Sequence, residues 1–172
     1  MGLYLVGNFA MQTTAAALKV ATGTSIKTLM QIKPGATQVA QIIEWGISFD
    51  GSAAATPGAV ELIETGTVGG TSGTAFAAAD FTKLDNEALL AGDPTTNMFS
   101  VGTGNSCFSP SSEGSITVVR NLDTPSLIAP TNQFVKQFPL GREPIIQPAN
   151  YARIRVTFAT TVNCYCYMIL RV

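Results

Sequence analysis

The stretch Gln38 to Gly51, reading QVAQIIEWGISFDG, leaves little choice besides an extended chain. Taken as a strand, it puts Ile43, Trp45, Ile47 and Phe49 on one side and Ile42, Glu44, Gly46 and Ser48 on the other, because side chains alternate across the pleat. One face is apolar and holds the only tryptophan of the chain. Asp50-Gly51 ends the run with a turn dipeptide whose glycine accepts positive φ. The same logic recurs from Tyr151 to Val172. There Ala152, Ile154, Val156 and Phe158 oppose Tyr151, Arg153, Arg155 and Thr157, and Val162 to Leu170 runs back after Ala159-Thr160-Thr161. The pattern predicts a terminal hairpin packed on the Trp45 face, with a core of Ile43, Trp45, Ile47, Phe49, Ile154, Val156 and Phe158.

Further strands follow from alternation and turn chemistry. Ser25 to Lys33 ends at Pro34-Gly35 and is expected as the antiparallel neighbour of the Trp45 strand. Val60 to Thr65, Met98 to Thr103, Ser115 to Leu122, Gln133 to Phe138 and Pro144 to Gln147 complete the inventory, with Ala75 to Leu84 read as strand rather than helix. TGTVGGTSGT reads as a surface loop, and Asp85 to Asn97 as a loop with at most one helical turn. Turn signals every eight to twelve residues or so, with no helical moment and no solenoid repeat, predict about eight to ten short strands. The expected fold is a single-domain, all-β antiparallel sandwich of jelly-roll type. Residues 25–172 form the domain, and 1–24 form an extended N-terminal arm and first connection.

Composition narrows function. A chain of 172 residues with 46% hydrophobic residues fills one core, yet only 12% are charged, about half the usual share. Such a surface is expected to contact copies or partners. A net charge of -1 argues against nucleic acid, which demands clustered cations, and no apolar run approaches the ~20 residues of a membrane span. Charge is uneven along the chain. From Glu61 to Glu113 seven acids face Lys83 alone, whereas Arg120, Lys136, Arg142, Arg153, Arg155 and Arg171 follow with only Asp123 and Glu143. Either solvated acidic loops or a head-to-tail contact between copies fits that asymmetry. The start, MGLYLVGNFAMQTT, lacks the cationic n-region of an export signal, and Val6 stands where a myristoylation motif has Ser or Thr. Leu3, Tyr4, Leu5, Val6 and Phe9 are the expected anchors of an arm that orders on a neighbouring subunit or partner.

Catalytic chemistry finds few residues. Without histidine there is no Ser-His-Asp or Cys-His arrangement, and the spacing of Cys107, Cys164 and Cys166 is not that of a zinc site. Cys164 and Cys166 share one strand face and are read as reduced core thiols. Glu61 with Glu64, or Asp80 with Asp85 and Glu87, remain as conceivable glycosidase or calcium carboxylates. The glycines of VGGTSG and VGTGN lack the lysine and helix of a phosphate loop. The chain is therefore expected not to be an enzyme and to need no cofactor or metal.

The order SIKTLMQI, EWGISFDG, VELIETGTVGGTSG, KLD and then PLGREPIIQPANYARIRVTFATTVNCYCYMILRV resembles small virion proteins of tailed bacteriophages, especially those of actinobacterial phages. Gly141-Arg142-Glu143, Ile145-Ile146, the Pro148 to Tyr151 turn and ARIRVTF match best. The resemblance covers roughly Ser25 to Gly51 and Pro139 to Val172, and the middle by composition; Met98 to Thr131 stays open as a separate binding insertion. It implies a jelly-roll minor capsid, head decoration or cement protein, made in the host cytoplasm. Such a protein sits on the outer capsid surface, usually as a homotrimer, and clamps the major capsid protein. The alternative is a tail or fibre module that binds a receptor or carbohydrate, with Phe99, Phe108 and Asp85 to Asp93 as its candidates.

Overall fold

The computed structural model describes residues 2–9, 14, 16–52, 54–85 and 98–172. Among these the chain forms β1 (Leu3–Gly7), β2 (Val20–Ala21), β3 (Ile26–Ile32), β4 (Ala40–Phe49), β5 (Gly58–Thr65), β6 (Thr74–Ala75), β7 (Thr82–Lys83), β8 (Cys107–Phe108), β9 (Val118–Asn121), β10 (Ser126–Ile128), β11 (Gln133–Gln137), β12 (Ile145–Ile146), β13 (Tyr151–Thr157) and β14 (Asn163–Arg171). The one helical turn described is a 3-10 segment, Ala78–Asp80. Two antiparallel sheets pack face to face as a β-sandwich. Sheet A has the order β11-β4-β14-β1-β7, with β12 also on β4 and β2 on β14; sheet B has the order β10-β5-β13-β3-β8-β6, with β9 on β5.

Trp45, Ile47, Ile154, Val156 and Phe158 lie in the core as their alternation predicts, and Phe49 packs on it with its ring 5.0 Å from that of Phe158. Ile43 does not. The β4–β14 register slips at this point, with Glu44 opposite Ile169 but Ile42 opposite Leu170, so Ile43 is the extra residue of a β-bulge. The bulge reverses the alternation before it: Ala40 and Ile42 are buried, and Ile43 is half-buried.

Two pairings differ from the sequence reading. β3 and β4 are not neighbours, and β13 and β14 are not a hairpin; each pair is split between the sheets. The reason is packing. A strand with one strongly apolar face stays buried equally well if the chain arches over the core and the next strand lies in the opposite sheet. β13 accordingly takes β3 and β5 as neighbours, while β14 takes β4 and β1.

The N-terminal segment is a second correction. Leu3–Gly7 is no free arm but an inner strand of sheet A, pairing with β14 from Leu3 opposite Arg171 to Gly7 opposite Tyr167. Tyr4 and Val6 are fully buried opposite Leu170 and Met168. Burying two such side chains stabilises the domain by roughly 1.5 to 3 kcal/mol each, which no solvated arm would forgo. Residues 3–7 thus belong to the sandwich rather than to an appendage preceding it.

One flank of the sandwich is filled by aromatic rings. The chain from β6 to β7 passes from the edge of sheet B to the edge of sheet A, and carries Phe76 and Phe81 inward. Phe81 stacks on Phe99 at 4.5 Å, and Tyr4 meets Phe99 edge-on at 5.8 Å. Ala75 to Leu84 is therefore two short strands around a helical turn, not one strand. Met98 to Thr103 makes only isolated bridges, at Phe99 and Val101.

Candidate interaction surface

The outer faces of the two sheets are treated differently by the fold. On sheet B, Tyr151 and Arg153 point away from the core yet are buried, because the 66–73 loop and the segment around 101–116 lie over them. The Arg153 guanidinium donates to Val68 O at 2.9 Å, to Glu113 O at 3.4 Å and to Thr28 Oγ1 at 3.5 Å, and pairs with the Glu113 carboxylate at 3.5 Å. Glu113 also accepts from the Thr28 backbone N–H and hydroxyl. Gln31 exchanges hydrogen bonds with the Gly70 backbone at 2.9 and 3.2 Å, and the Tyr151 hydroxyl donates to Gly104 O at 2.9 Å. The Gly/Thr loop read as a surface excursion is thus pinned down, and part of the unassigned Met98 to Thr131 segment serves as cover for sheet B.

Ion pairs within the chain account for part of the charge asymmetry. Arg120 pairs with Glu64, Arg155 with Glu61 and Arg153 with Glu113, so the late cations meet the early acids inside one chain. Glu64 is buried, engaged by Arg120 and by Asn150 Nδ2 at 2.8 Å, while Glu61 is held by Arg155 on the opposite side of β5. The two carboxylates do not converge on a common site. Asp80 caps the Ala77 N–H at 2.8 Å, and Asp85 accepts from the Leu3 N–H at 3.0 Å. Glu87 and Asp93 lie outside the described residues. Among the described residues no three His, Cys, Asp or Glu side chains gather as metal ligands. Nor is any described helix long and apolar enough to cross a membrane.

Among the described residues, the outer face of sheet A is covered less: the Tyr165 hydroxyl donates to Ala17 O, and no buried ion pair spans this face. Outward from β1 and β14 stand Leu3, Leu5, Tyr165, Tyr167 and Ile169, all half-buried. Two glycines flatten this face. The Tyr167 ring lies against Gly46, where an added Cβ would come within 2.5 Å of Cε1, and the Phe9 ring lies against Gly7 with the same clearance. Phe9 further meets Tyr165 edge-on at 5.5 Å. The Tyr167 hydroxyl donates to Glu44, and burial together with that carboxylate pushes its pKa up to about 12. The expected anchors therefore divide by parity: Leu3, Leu5 and Phe9 belong to this outer face, while Tyr4 and Val6 belong to the core. The alternation of Tyr165, Tyr167 and Ile169 with Cys164, Cys166 and Met168 was the signal for this face, and the sequence reading used only its buried half.

The candidates for carbohydrate binding are placed elsewhere. Phe99 is fully buried, and Phe108 packs against Phe76 at 5.4 Å. A surface recess of about 400 Å³ between Thr22–Lys27 and Ser109–Glu113 has no aromatic side chain in its lining, the usual platform for a sugar ring. Cys107, Cys164 and Cys166 are free and buried, and their burial pushes the first two thiols up to about 11 and about 12.

Compared with family models, with curated proteins and with solved structures, the chain finds no match.

Proposed function

We propose that the chain is a structural virion protein of a tailed bacteriophage, a decoration or cement protein that binds the outer head surface and stabilises the shell. The observation that carries this reading is the outer face of sheet A, flattened at Gly46 and Gly7, where Leu3, Leu5, Phe9, Tyr165, Tyr167 and Ile169 gather with Glu44 and Arg171 at one end. A flattened apolar-aromatic face suits docking on a protein surface better than it suits holding a small molecule. The strand order gives further support. Taking β1, β3, β4, β5, β10, β11, β13 and β14 in turn, the chain alternates between sheets except from β5 to β10, which pair side by side. For these eight principal strands, four in each sheet, that order supports a jelly-roll reading, an architecture used in viral capsids. The sequence resemblance favours a trimer contacting the major capsid protein on the outer capsid surface.

Co-sedimentation with capsids lacking this protein tests the reading. Wild-type protein pellets with the capsids, and Leu5→Glu, which places a charge on the outer face without touching the core, stays in the supernatant while remaining folded, with a melting temperature lowered less than by Tyr4→Ala. Wild-type protein that remains in the supernatant overturns it.

A further inference from the structure

We propose that two copies of the chain pair edge to edge through β11, antiparallel about a two-fold axis at Val135. β11 ends sheet A and has only β4 beside it. Its hydrogen-bond phase is fixed at both ends: the Phe49 N–H donates to Asn132 O at 3.2 Å and the Phe138 N–H to Ile43 O at 2.9 Å. Even-numbered residues thus turn their backbone groups toward β4, and Gln133, Val135 and Gln137 turn theirs outward, where no strand of the described residues meets them. Val135 is 45% exposed. The opposite flank differs, because there the Phe76, Phe81 and Phe99 rings close the gap between the sheets.

The sequence of this edge is complementary to itself. Antiparallel pairing centred on Val135 sets each Gln133 opposite a Gln137, each Phe134 opposite a Lys136, and the two Val135 residues opposite one another. No like charges meet, a β-branched pair occupies the axis, and each Lys136 stem lies opposite an aromatic side chain. Proteins that keep such an edge single usually blunt it with proline, a bulge or an outward lysine. β11 has neither proline nor bulge, and Lys136 is drawn toward Asp123, 3.9 Å away. Pairing about a two-fold closes the edge with a contact that repeats no further. The contact is made along the β11 edge, with the Val135 side chain on the outer-face side of sheet A opposite Gly46, and it needs no capsid, so its fate in solution is read separately from that of the head-surface reading.

The test uses three single variants of the full chain. Residues directly opposite in a hydrogen-bonded antiparallel pair have Cα atoms about 5.5 Å apart, within disulfide reach. Val135→Cys therefore cross-links two chains under mild oxidation, whereas Gln133→Cys, whose copies sit on either side of the axis, does not. The native thiols are buried and do not compete. Val135→Pro removes an N–H that makes no bond among the described residues; by light scattering it halves the wild-type mass, an even multiple of 18.0 kDa, and leaves the melting temperature in place. A wild-type mass of one chain or of three, a mass unchanged by Val135→Pro, or equal cross-linking of the two cysteine variants overturns the proposal.

Discussion

The indole N–H of Trp45 donates to Asp123 Oδ2 at 3.1 Å, tying the largest fully buried side chain of the core to the turn that follows an edge strand of the facing sheet. Lys136 approaches the same carboxylate at 3.9 Å from β11. Asp123 therefore holds sheets A and B together at one corner of the core. Trp45→Ala is expected to cost about 3 to 5 kcal/mol through the cavity it leaves, and Asp123→Ala about 1 to 3 kcal/mol by stranding the indole N–H. Urea unfolding measures both. Folded-state fluorescence with the maximum of a fully hydrated indole would show that Trp45 is not where the structure puts it.

Parity along β1 gives a sharper test of the N-terminal strand. Tyr4→Ala is expected to cost about 3 to 5 kcal/mol, whereas Leu5→Ala on the outer face should cost less than half as much. Equal and negligible effects on the melting temperature would restore the free arm. For the same reason a truncation near Ala15 is a test of folding, because it strips a paired strand from β14.

Arg153 pins two loops to the outer face of sheet B through Val68, Thr28 and Glu113. Replacing it by Met removes the cation and leaves Glu113 with its Thr28 hydrogen bonds alone, and because Glu113 is partly exposed the cost is expected below the about 3 to 5 kcal/mol of a fully buried pair broken from one side. Arg153→Lys should recover little of this, since one ammonium cannot span the same acceptors. Limited proteolysis within 66–73 should accelerate in both variants; unchanged cleavage would mean that the loop is held by other contacts.

The strongly patterned parts of the chain were legible and the connections between them were not. Ile154, Val156 and Phe158, and the shared face of Cys164 and Cys166, follow from period-two alternation alone, since burial repeats with the pleat. Ile43 was misread because a bulge changes parity without leaving a mark in residue type. The sheet assignment of β3 against β4, and of β13 against β14, was illegible because Pro34-Gly35 and Ala159-Thr160-Thr161 turn the chain equally well within a sheet or across the core. The outer face of sheet A was half-legible. Leu3, Leu5 and Phe9 were singled out for contact, but Tyr165 and Tyr167 join them only through the β1–β14 register.

Alkaline pH should expose the buried thiols. Burial raises Cys107 from 9.0 to about 11 and Cys164 to about 12, and Tyr167 moves from 10.0 to about 12. The unfolded chain releases these protons first, so the stabilisation is complete below about pH 9 and is lost as pH rises toward about 12. The melting temperature should fall through that window, less steeply in Cys164→Ala. Reductant should leave it unchanged, and thiol reagents should label the protein only on unfolding. Rapid labelling of the folded chain would contradict the burial of all three cysteines.

Electron microscopy of the virion tests the account most directly. Its prediction is a periodic protrusion on the outer head surface, of a size to fit this sandwich, with the outer face of sheet A turned toward the major capsid protein. Heads that lack such a protrusion, with density for this chain confined to the tail, would contradict it.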